Sequence, residues 1–155
     1  MHHRCADNYE VIDSSLDDIK FALAPAYTKM DIAGLDHNRT LSTDVKGVRY
    51  LRGFVGMNNL KRTDFINVVV QAFCHVGPLR DFFLQPQNYA TCTSALVHRF
   101  GELLRKLWSP SNFKSTVDPH EFVQEVVVAS GKRFKIGTQA ECVDFLSWFL
   151  NKLHT

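Results

Sequence analysis

The chain has 155 residues, a formal net charge of +2, 45% hydrophobic residues and 22% charged residues. These values are typical of a folded globular domain and exclude a disordered tail. Acidic residues are interleaved with the basic ones, so the sequence shows no basic stripe and predicts no direct nucleic-acid binding. The uncharged, strongly apolar stretch Phe65–Leu79 is shorter than the roughly 20 residues of a membrane span, so no membrane partner is expected.

The four cysteines lie far apart, without a C-x-x-C pair and without the ligand spacing of a zinc site. They are Cys5, Cys74, Cys92 and Cys142. The first residues contain no apolar segment of a signal peptide. We therefore expect a protein of the cytosol or nucleus, with no cofactor and no metal bound by this chain.

Two capping boxes predict short helices in the first third of the chain. They are Ser15 with Asp18, ahead of Pro25, and Thr28 with Asp31, ahead of Gly34. The next segment, residues 47–56, places three glycines among aromatic and β-branched residues. This composition predicts a turn and a short extended segment.

A strongly apolar segment runs from Asp64 to about His75. Its run of valines favours a strand. A helix is the preferred prediction because Thr63 or Asp64 supplies an N-cap and Gly77-Pro78 ends the segment. Since apolar residues occur nearly all the way round this helix, we expect protein to enclose it on every side.

Three further helices are predicted from caps and apolar periodicity. They run from about Ser94 to Ser109, from the start signal Asp118-Pro119-His120-Glu121 to about Ser130, and from the capping box Thr138–Glu141 to the chain end. The last helix is expected to bury one face, formed by Val143, Leu146, Phe149, Leu150 and Leu153. No later element covers a helix at the chain end, so we expect part of its partner surface to lie outside this sequence. The predicted fold class is mainly α.

Residues 56–71 (GMNNLKRTDFINVVVQ) form the most informative motif. They resemble the cysteine box of ubiquitin-specific proteases, the peptidase C19 family, which reads approximately G-L-x-N-L-G-N-T-C-Y-x-N-S-x-L-Q. The identical positions are Gly56, Asn59, Leu60, Thr63, Asn67 and Gln71. A second segment, residues 139–150 (QAECVDFLSWFL), is similar to the family's Q-Q-D-A-Q-E-F-L-x-x-L-L helix. The resemblance implies the helical thumb half of a papain-like fold, mainly α here and α+β in the full domain.

Within this resemblance, Asp64 stands at the position of the nucleophilic cysteine and Asn59 at that of the oxyanion donor. A carboxylate, with a reference pKa of about 4, is a poor nucleophile toward an amide. Aspartate is instead a favourable N-cap, worth about 1 kcal/mol over alanine. Lys61 and Arg62 replace the family's small Gly-Asn pair, and they either crowd the approach to the site or extend into solvent. The resemblance thus implies that the chain is not an enzyme.

The remaining histidines and cysteines are interpreted as structural residues. In the family, the catalytic histidine comes from a region well downstream, so no histidine of this chain is assigned that role. The histidines considered, at helix ends or surfaces, are His75, His98, His120 and His154. Three cysteines are predicted to be buried packing residues rather than replacement nucleophiles, namely Cys74, Cys92 and Cys142.

Several other segments are similar to one subgroup of the family, the catalytically inactive ubiquitin-specific-protease-like splicing factors of the tri-snRNP. They are residues 7–19, 78–84, 99–108 and 143–151. The resemblance implies a nuclear scaffold in pre-mRNA splicing, with tri-snRNP proteins as partners and ubiquitin as a further candidate. It also implies an N-terminal lead over residues 1–46, a thumb-like part over residues 47–155, and zinc only in an upstream domain absent from this sequence. The alternatives are a ubiquitin-binding module without hydrolysis and, least favoured, an active ubiquitin thiolesterase.

Overall fold

A computed structural model describes residues 25–112 and 114–154. The helix predicted from Ser15 and Asp18 lies outside these residues. The described α-helices are α1 (Lys29–Ala33), α2 (Asp64–Phe73), α3 (Gly77–Leu84), α4 (Ala95–Leu107), α5 (His120–Ala129) and α6 (Cys142–His154). Two 3₁₀ helices, Leu35–His37 and Pro86–Tyr89, connect them. The prediction of a mainly helical fold is confirmed, and within the described ranges no helix is long and apolar enough to cross a membrane.

The capping box at the start of α1 is confirmed. The Asp31 backbone N–H donates to the Thr28 hydroxyl at 3.2 Å, and the Thr28 backbone N–H donates to the Asp31 carboxylate at 2.8 Å. Just before this helix, the Tyr27 hydroxyl donates to the Arg105 carbonyl at 2.6 Å. The segment that leads into α1 is therefore attached to α4.

The described strands have two residues each and form two pairs, β1 (Ser42–Thr43) with β2 (Arg49–Tyr50) and β3 (Gly56–Met57) with β4 (Thr116–Val117). The first pair is antiparallel, with Ser42 opposite Tyr50, and the second is parallel, with Gly56 opposite Thr116. Gly47 lies between β1 and β2 at φ +81°, a left-handed conformation that glycine adopts readily. The turn and extended segment predicted for residues 47–56 are confirmed.

A buried carboxylate organises the turn between β1 and β2. Asp44 accepts backbone N–H hydrogen bonds from Lys46 at 2.9 Å, Val48 at 2.8 Å and Ser115 at 2.9 Å. Burial raises the pKa of the Asp44 carboxyl, but the three backbone hydrogen bonds outweigh burial, so the net pKa is lowered. The bond to Ser115 joins this turn to the segment that enters β4.

The apolar segment that begins at Asp64 is a helix, as preferred over a strand. Its core-facing residues are Phe65, Ile66, Val69 and Val70, and the helix packs against α6. The expectation that protein encloses it on every side is wrong, because Val68 is 58% exposed and Ala72, one turn later, is also exposed. One stripe of α2 therefore faces solvent although its side chains are apolar.

Gly77-Pro78 begins a helix, which the sequence pattern did not predict, and α2 has already ended at Phe73. Proline lacks the N–H that a helix interior requires, yet it fits the first turn, where that N–H has no partner in the helix. Here Gly77 is the first residue of α3 and Pro78 the second. The segment after α2 is therefore helical as far as Leu84 instead of forming a loop.

The start predicted for α5 is confirmed, whereas the capping box predicted for α6 is wrong. The Asp118 carboxylate accepts the His120 backbone N–H at 3.0 Å at the start of α5. At the start of α6, the Phe145 N–H donates to the Glu141 carbonyl, and the helix begins at Cys142. Glu141 thus lies at the N-cap position itself, which leaves Thr138 outside the helix.

The buried face predicted for α6 is confirmed in part, because Phe149 is buried and Leu146 and Leu153 pack against the core, but Val143 and Leu150 do not lie on that face. Phe145 and Phe149 are its fully buried residues, whereas Val143 is 70% exposed and Leu150 is 48% exposed. The Phe149 ring centroid lies 5.0 Å from that of Phe100, and the Phe145 centroid lies 5.7 Å from that of Phe65. Large aromatic rings contribute more on burial than aliphatic side chains, so the helix turns these two rings into the core.

A second packing centre lies at Trp108, immediately after α4. Its indole N–H donates to the Cys74 carbonyl at 3.0 Å, and the Arg80 guanidinium lies 4.8 Å from the ring centroid. Arg80 is 2% exposed and forms ion pairs with Asp36 at 2.6 Å and Asp81 at 2.8 Å. Trp108 thereby connects the end of α2, the middle of α3 and the end of α4.

Candidate functional site

The candidate site is the loop of residues 58–63 between β3 and α2. The Asn58 N–H donates to the Val117 carbonyl at 3.0 Å, which extends the parallel β3–β4 pairing into the loop. The Asn67 side-chain amide, from the first turn of α2, donates to the Asn58 carbonyl at 3.2 Å. The loop is therefore attached to β4 and to α2 at its first residue.

Asn59 is held by Thr63 at the other end of the loop. Its side-chain oxygen accepts the Thr63 backbone N–H at 3.1 Å and the Thr63 hydroxyl at 3.3 Å, and Thr63 Oγ1 accepts the Leu60 N–H at 2.9 Å. Because two donors face this oxygen, the orientation of the amide follows from its partners. The Asn59 side-chain N–H₂ has no hydrogen-bond partner among the described residues, and the residue is exposed. An amide nitrogen turned outward in this way is able to donate to an oxygen at the site.

Lys61 and Arg62 adopt left-handed backbone conformations, with φ of +60° and +56°. This conformation costs an L-residue about 1–2 kcal/mol, whereas glycine adopts it freely and asparagine more easily than most. The backbone therefore has the shape that a Gly-Asn pair would favour, although neither residue is present. The Lys61 carbonyl accepts the Gly137 N–H at 2.8 Å, and the buried Thr63 holds the other end of this turn.

Asp64 is the first residue of α2, and it does not serve as the N-cap that the sequence pattern predicted. The N-cap position belongs to Thr63, whose carbonyl accepts the Ile66 and Asn67 N–H groups but whose side chain bonds within the loop instead of capping the helix. The exposed Asp64 carboxylate lies in the first turn, where a negative charge is stabilised by about 0.3–1 kcal/mol through the helix dipole. Its hydrogen-bond donor is the Gln139 side-chain amide at 3.4 Å.

The contact of residues 131–139 with the site was not predicted from the sequence. Gly137 bonds to Lys61 and Gln139 bonds to Asp64, although 75 residues separate the latter two in sequence. Gln139 is the first residue of the second motif, which indicated a family resemblance and not this contact. Nothing in the sequence indicated the left-handed Gly137, at φ +86°, that turns its N–H toward the loop.

Cys74 confirms the packing interpretation, Cys92 agrees with it in part, and Cys142 contradicts it. Cys74 is buried at the end of α2, where burial raises the pKa of its thiol to about 11. Cys92 is half-buried. Cys142 was predicted to be buried but is exposed, because α6 begins at this residue and turns Phe145 toward the core. None of these three cysteines lies at the start of α2, the position of Asp64.

The histidines lie where structural roles are expected. The His75 ring centroid is 4.6 Å from that of the exposed Phe54, and His98 Nε2 lies 2.7 Å from the Cys92 carbonyl. His120 begins α5 and His154 ends α6. In the described ranges, no three His, Cys, Asp or Glu side chains form a group that could hold a metal ion.

The fold and the loop at α2 define a class of protein, and comparisons with known proteins identify it. A family model described as ubiquitin carboxyl-terminal hydrolase matches residues 55–155. This chain belongs to the ubiquitin carboxyl-terminal hydrolase family. The resemblance inferred from the two motifs is thereby confirmed.

The chain is similar to particular members of this family and to one solved structure. The chain is 52% identical over 156 residues to ubiquitin carboxyl-terminal hydrolase 39 of Homo sapiens, and the aligned region covers 96% of this chain and 28% of that protein. It is 46% identical over 148 residues to the probable mRNA-splicing protein ubp10 of Schizosaccharomyces pombe, covering 96% of this chain and 29% of that protein. A solved structure described as an essential yeast splicing factor matches with a TM-score of 0.75 and 30% identity, over 89% of this chain and 33% of that one. The chain thus spans less than a third of the length of the curated relatives.

Proposed function

We propose that this chain is the helical part of a catalytically inactive member of its family, which acts in the nucleus as a scaffold in pre-mRNA splicing. In this proposal, protein contacts support the assembly of the tri-snRNP or its recruitment to the spliceosome. The observation that carries the proposal is Asp64, which occupies the first residue of α2. The similarity to two proteins described as splicing factors supports the biological setting.

The chemistry of Asp64 supports the absence of hydrolysis. The start of a helix stabilises a thiolate, which attacks a carbonyl carbon and forms a thioester as the amine leaves with a proton. A carboxylate oxygen at this position would have to form a mixed anhydride, a far less stable acyl carrier, and it is the weaker nucleophile. The site thus retains a possible oxyanion donor, Asn59, without an effective nucleophile.

The first experiment asks whether the site can do chemistry. Full-length protein is treated with a ubiquitin vinyl-type probe and with a ubiquitin ester, in the natural form and as Asp64→Cys. We expect no adduct and no turnover with the natural protein. An adduct that disappears in Cys142→Ser would instead support the thiolesterase alternative, because Cys142 is the exposed cysteine of the described ranges.

The Asp64→Cys protein also tests the role proposed for Lys61 and Arg62. If these exposed side chains crowd the approach to the site, the single variant stays well below the activity of a variant that also carries Lys61→Gly and Arg62→Asn. Robust turnover by Asp64→Cys alone would show that both side chains merely extend into solvent.

The second experiment tests the scaffold directly. Depletion of the full-length protein should lower tri-snRNP levels and slow intron removal, and re-expression of either the natural protein or Asp64→Asn should restore both. Rescue by Asp64→Asn is expected because a scaffold does not use the carboxylate as a nucleophile. Unchanged tri-snRNP levels and unchanged intron removal after depletion would contradict the proposal.

A second candidate, ubiquitin binding without hydrolysis, is supported by the family match over residues 55–155 and by the outward Asn59 amide. Titration of labelled ubiquitin into the full-length protein separates the candidates. Saturable binding in the micromolar range would favour the ubiquitin-binding module, whereas a signal that never saturates favours the scaffold.

A further inference from the structure

Five exposed basic residues lie on two loops that meet at the candidate site. They are Lys61 and Arg62, beside Asn59, and Lys132, Arg133 and Lys135, in the connection between α5 and α6. We call these five residues the basic loop pair. In the part of the chain that the structure describes, ion pairs involve Arg80 and Arg99, and no member of the basic loop pair forms one.

The second loop is held in place at the end of α5. The Lys132 N–H donates to the Val127 carbonyl at 2.8 Å, and the Gly131 N–H donates to the Val128 carbonyl at 3.1 Å. With Gly131 at φ +60°, this pair of bonds forms a Schellman motif, which ends a helix in a defined geometry. The direction in which the chain leaves α5 is therefore determined by backbone hydrogen bonds.

Two further contacts determine the path of this loop. The buried Phe134 ring packs against Phe65, with centroids 5.9 Å apart, and against Phe145 at 5.3 Å. The Gly137 N–H then donates to the Lys61 carbonyl at 2.8 Å. Lys135 lies between these two attachments, so its side chain projects from an anchored backbone, at the edge of a groove that Glu125 and Val128 of α5 also line. The Arg133 guanidinium stacks 5.0 Å from the Phe134 centroid and is oriented by that ring.

The first loop presents its two cations from a backbone conformation that is unfavourable for residues with a Cβ atom. Lys61 and Arg62 occupy left-handed positions at φ +60° and +56°, where glycine would be favoured. A cost of this kind persists at sites where the side chain serves a purpose other than stability. The Gly137–Lys61 hydrogen bond joins the two loops, so both present cations near the start of α2, and none of these cations forms an ion pair within the described residues.

The surroundings of the basic loop pair favour an acidic protein over RNA. Carboxylates interrupt the positive charge, because Asp64 follows Arg62 by two residues and Asp144 lines a groove with Arg133. They would repel a continuous row of phosphates. The aromatic ring of the second loop, Phe134, is buried and cannot stack on a base. A protein segment with spaced acidic residues avoids both difficulties.

We infer that the basic loop pair is a docking surface for an acidic segment of a protein partner. The inference rests on the proposed scaffold function and adds to it the place of contact and the chemistry of the partner. Electrostatic complementarity at such a surface determines partner choice and association rate, and the attraction weakens as salt is added.

Site-specific cross-linking tests the place of contact. Full-length protein carrying a photo-cross-linking amino acid at Lys135, or at Lys46 as the matched exposed control, is added to purified tri-snRNP and irradiated. We expect the Lys135 position to cross-link to a protein, at a peptide rich in Asp and Glu, and the Lys46 position to give no such product. Cross-links from Lys135 to RNA, to a peptide without acidic residues, or to nothing would overturn the inference.

Charge reversal measures the contribution of the surface. We expect Arg62→Glu with Lys135→Glu to weaken binding to purified tri-snRNP by about tenfold at physiological salt, whereas Lys29→Glu with Lys46→Glu, an equal change of charge elsewhere, leaves it within about twofold. Equal effects of the two pairs would overturn the docking surface while leaving the scaffold intact. If the natural full-length protein does not bind tri-snRNP at all, the scaffold proposal itself fails.

Discussion

Replacement of Gly53 by alanine should destabilise the chain more than a backbone argument alone predicts. Gly53 has φ +79°, and an alanine Cβ there would lie 2.5 Å from two atoms of the Trp108 ring. The ring cannot move away freely, because its indole N–H bonds to Cys74 at 3.0 Å and the Trp108 carbonyl accepts Arg52 Nε at 2.8 Å. The left-handed backbone contributes about 1 kcal/mol and the forced overlap about 1–3 kcal/mol, so we expect a total of about 2–4 kcal/mol.

The chain contains a matched control for this prediction. Gly47 has nearly the same backbone angle, φ +81°, but no heavy atom lies within 4 Å of the position that an alanine Cβ would occupy. Alanine at Gly47 should therefore cost only the backbone contribution of about 1 kcal/mol. For a chain of this length, the two changes correspond to decreases in Tm of about 2–4 °C for Gly47→Ala and roughly 4–16 °C for Gly53→Ala.

Thermal and urea unfolding of the chain, followed by circular dichroism, measures both variants. A double-mutant cycle with Trp108→Leu isolates the overlap, since the extra cost of Gly53→Ala should largely disappear once the ring is removed. Equal decreases in the free energy of unfolding for Gly53→Ala and Gly47→Ala would refute the reasoning. That result would mean that the Trp108 ring is free to shift.

Three further outcomes can be measured on the same chain. Lys61→Gly, and likewise Arg62→Gly, should raise the free energy of unfolding by roughly 0.5–1 kcal/mol, because glycine adopts the left-handed conformation without strain. A lower free energy of unfolding, measured with urea, would contradict this prediction. Burial opposes ionisation of Asp44, but backbone hydrogen bonds lower its pKa overall, so the ionised carboxylate stabilises the fold above pH ~4 and this contribution is lost as the pH falls further. Asp44→Asn should therefore lower the free energy of unfolding at pH 7 and leave it nearly unchanged near pH 2. An equal decrease at both pH values would contradict the lowered pKa. Burial raises the pKa of Cys74 to about 11, so iodoacetamide at pH 8 should alkylate the exposed Cys142 first. Mass spectrometry of the peptides measures both rates, and equal rates would show that Cys74 is accessible.

The elements that could be predicted are those whose signals lie within a few residues. The Thr28–Asp31 capping box and the Asp118 start signal each depend on hydrogen bonds between near neighbours, and both are present. Gly77-Pro78 is ambiguous at this range, because proline ends a helix before it and is tolerated in the first turn of one after it. The structure places it in the first turn of α3, after α2 has ended at Phe73.

The site could be recognised from its order of residues but not from their conformation. Asn59 and Asp64 stand at recognisable positions of a spaced motif, so their candidate roles follow from the sequence. The left-handed turn at Lys61 is different, because a lysine gives no indication of a positive φ. Only the attachment to Gly137, on a distant segment, accounts for that shape.

The sequence by itself determined the family and the mainly helical class, because these follow from residue identity and from periodicity along the chain. It also led to the proposal that Asp64 replaces a nucleophilic cysteine. Tertiary structure decided how the buried face of α6 is centred, since the apolar residues around that helix allow more than one face and the aromatic core selected Phe145 over Val143. It also decided that the residues before α6 lie against the loop before α2. The physical reason is the same in both cases: burial and long-range hydrogen bonds depend on which segments the fold brings together, and no local pattern contains that information.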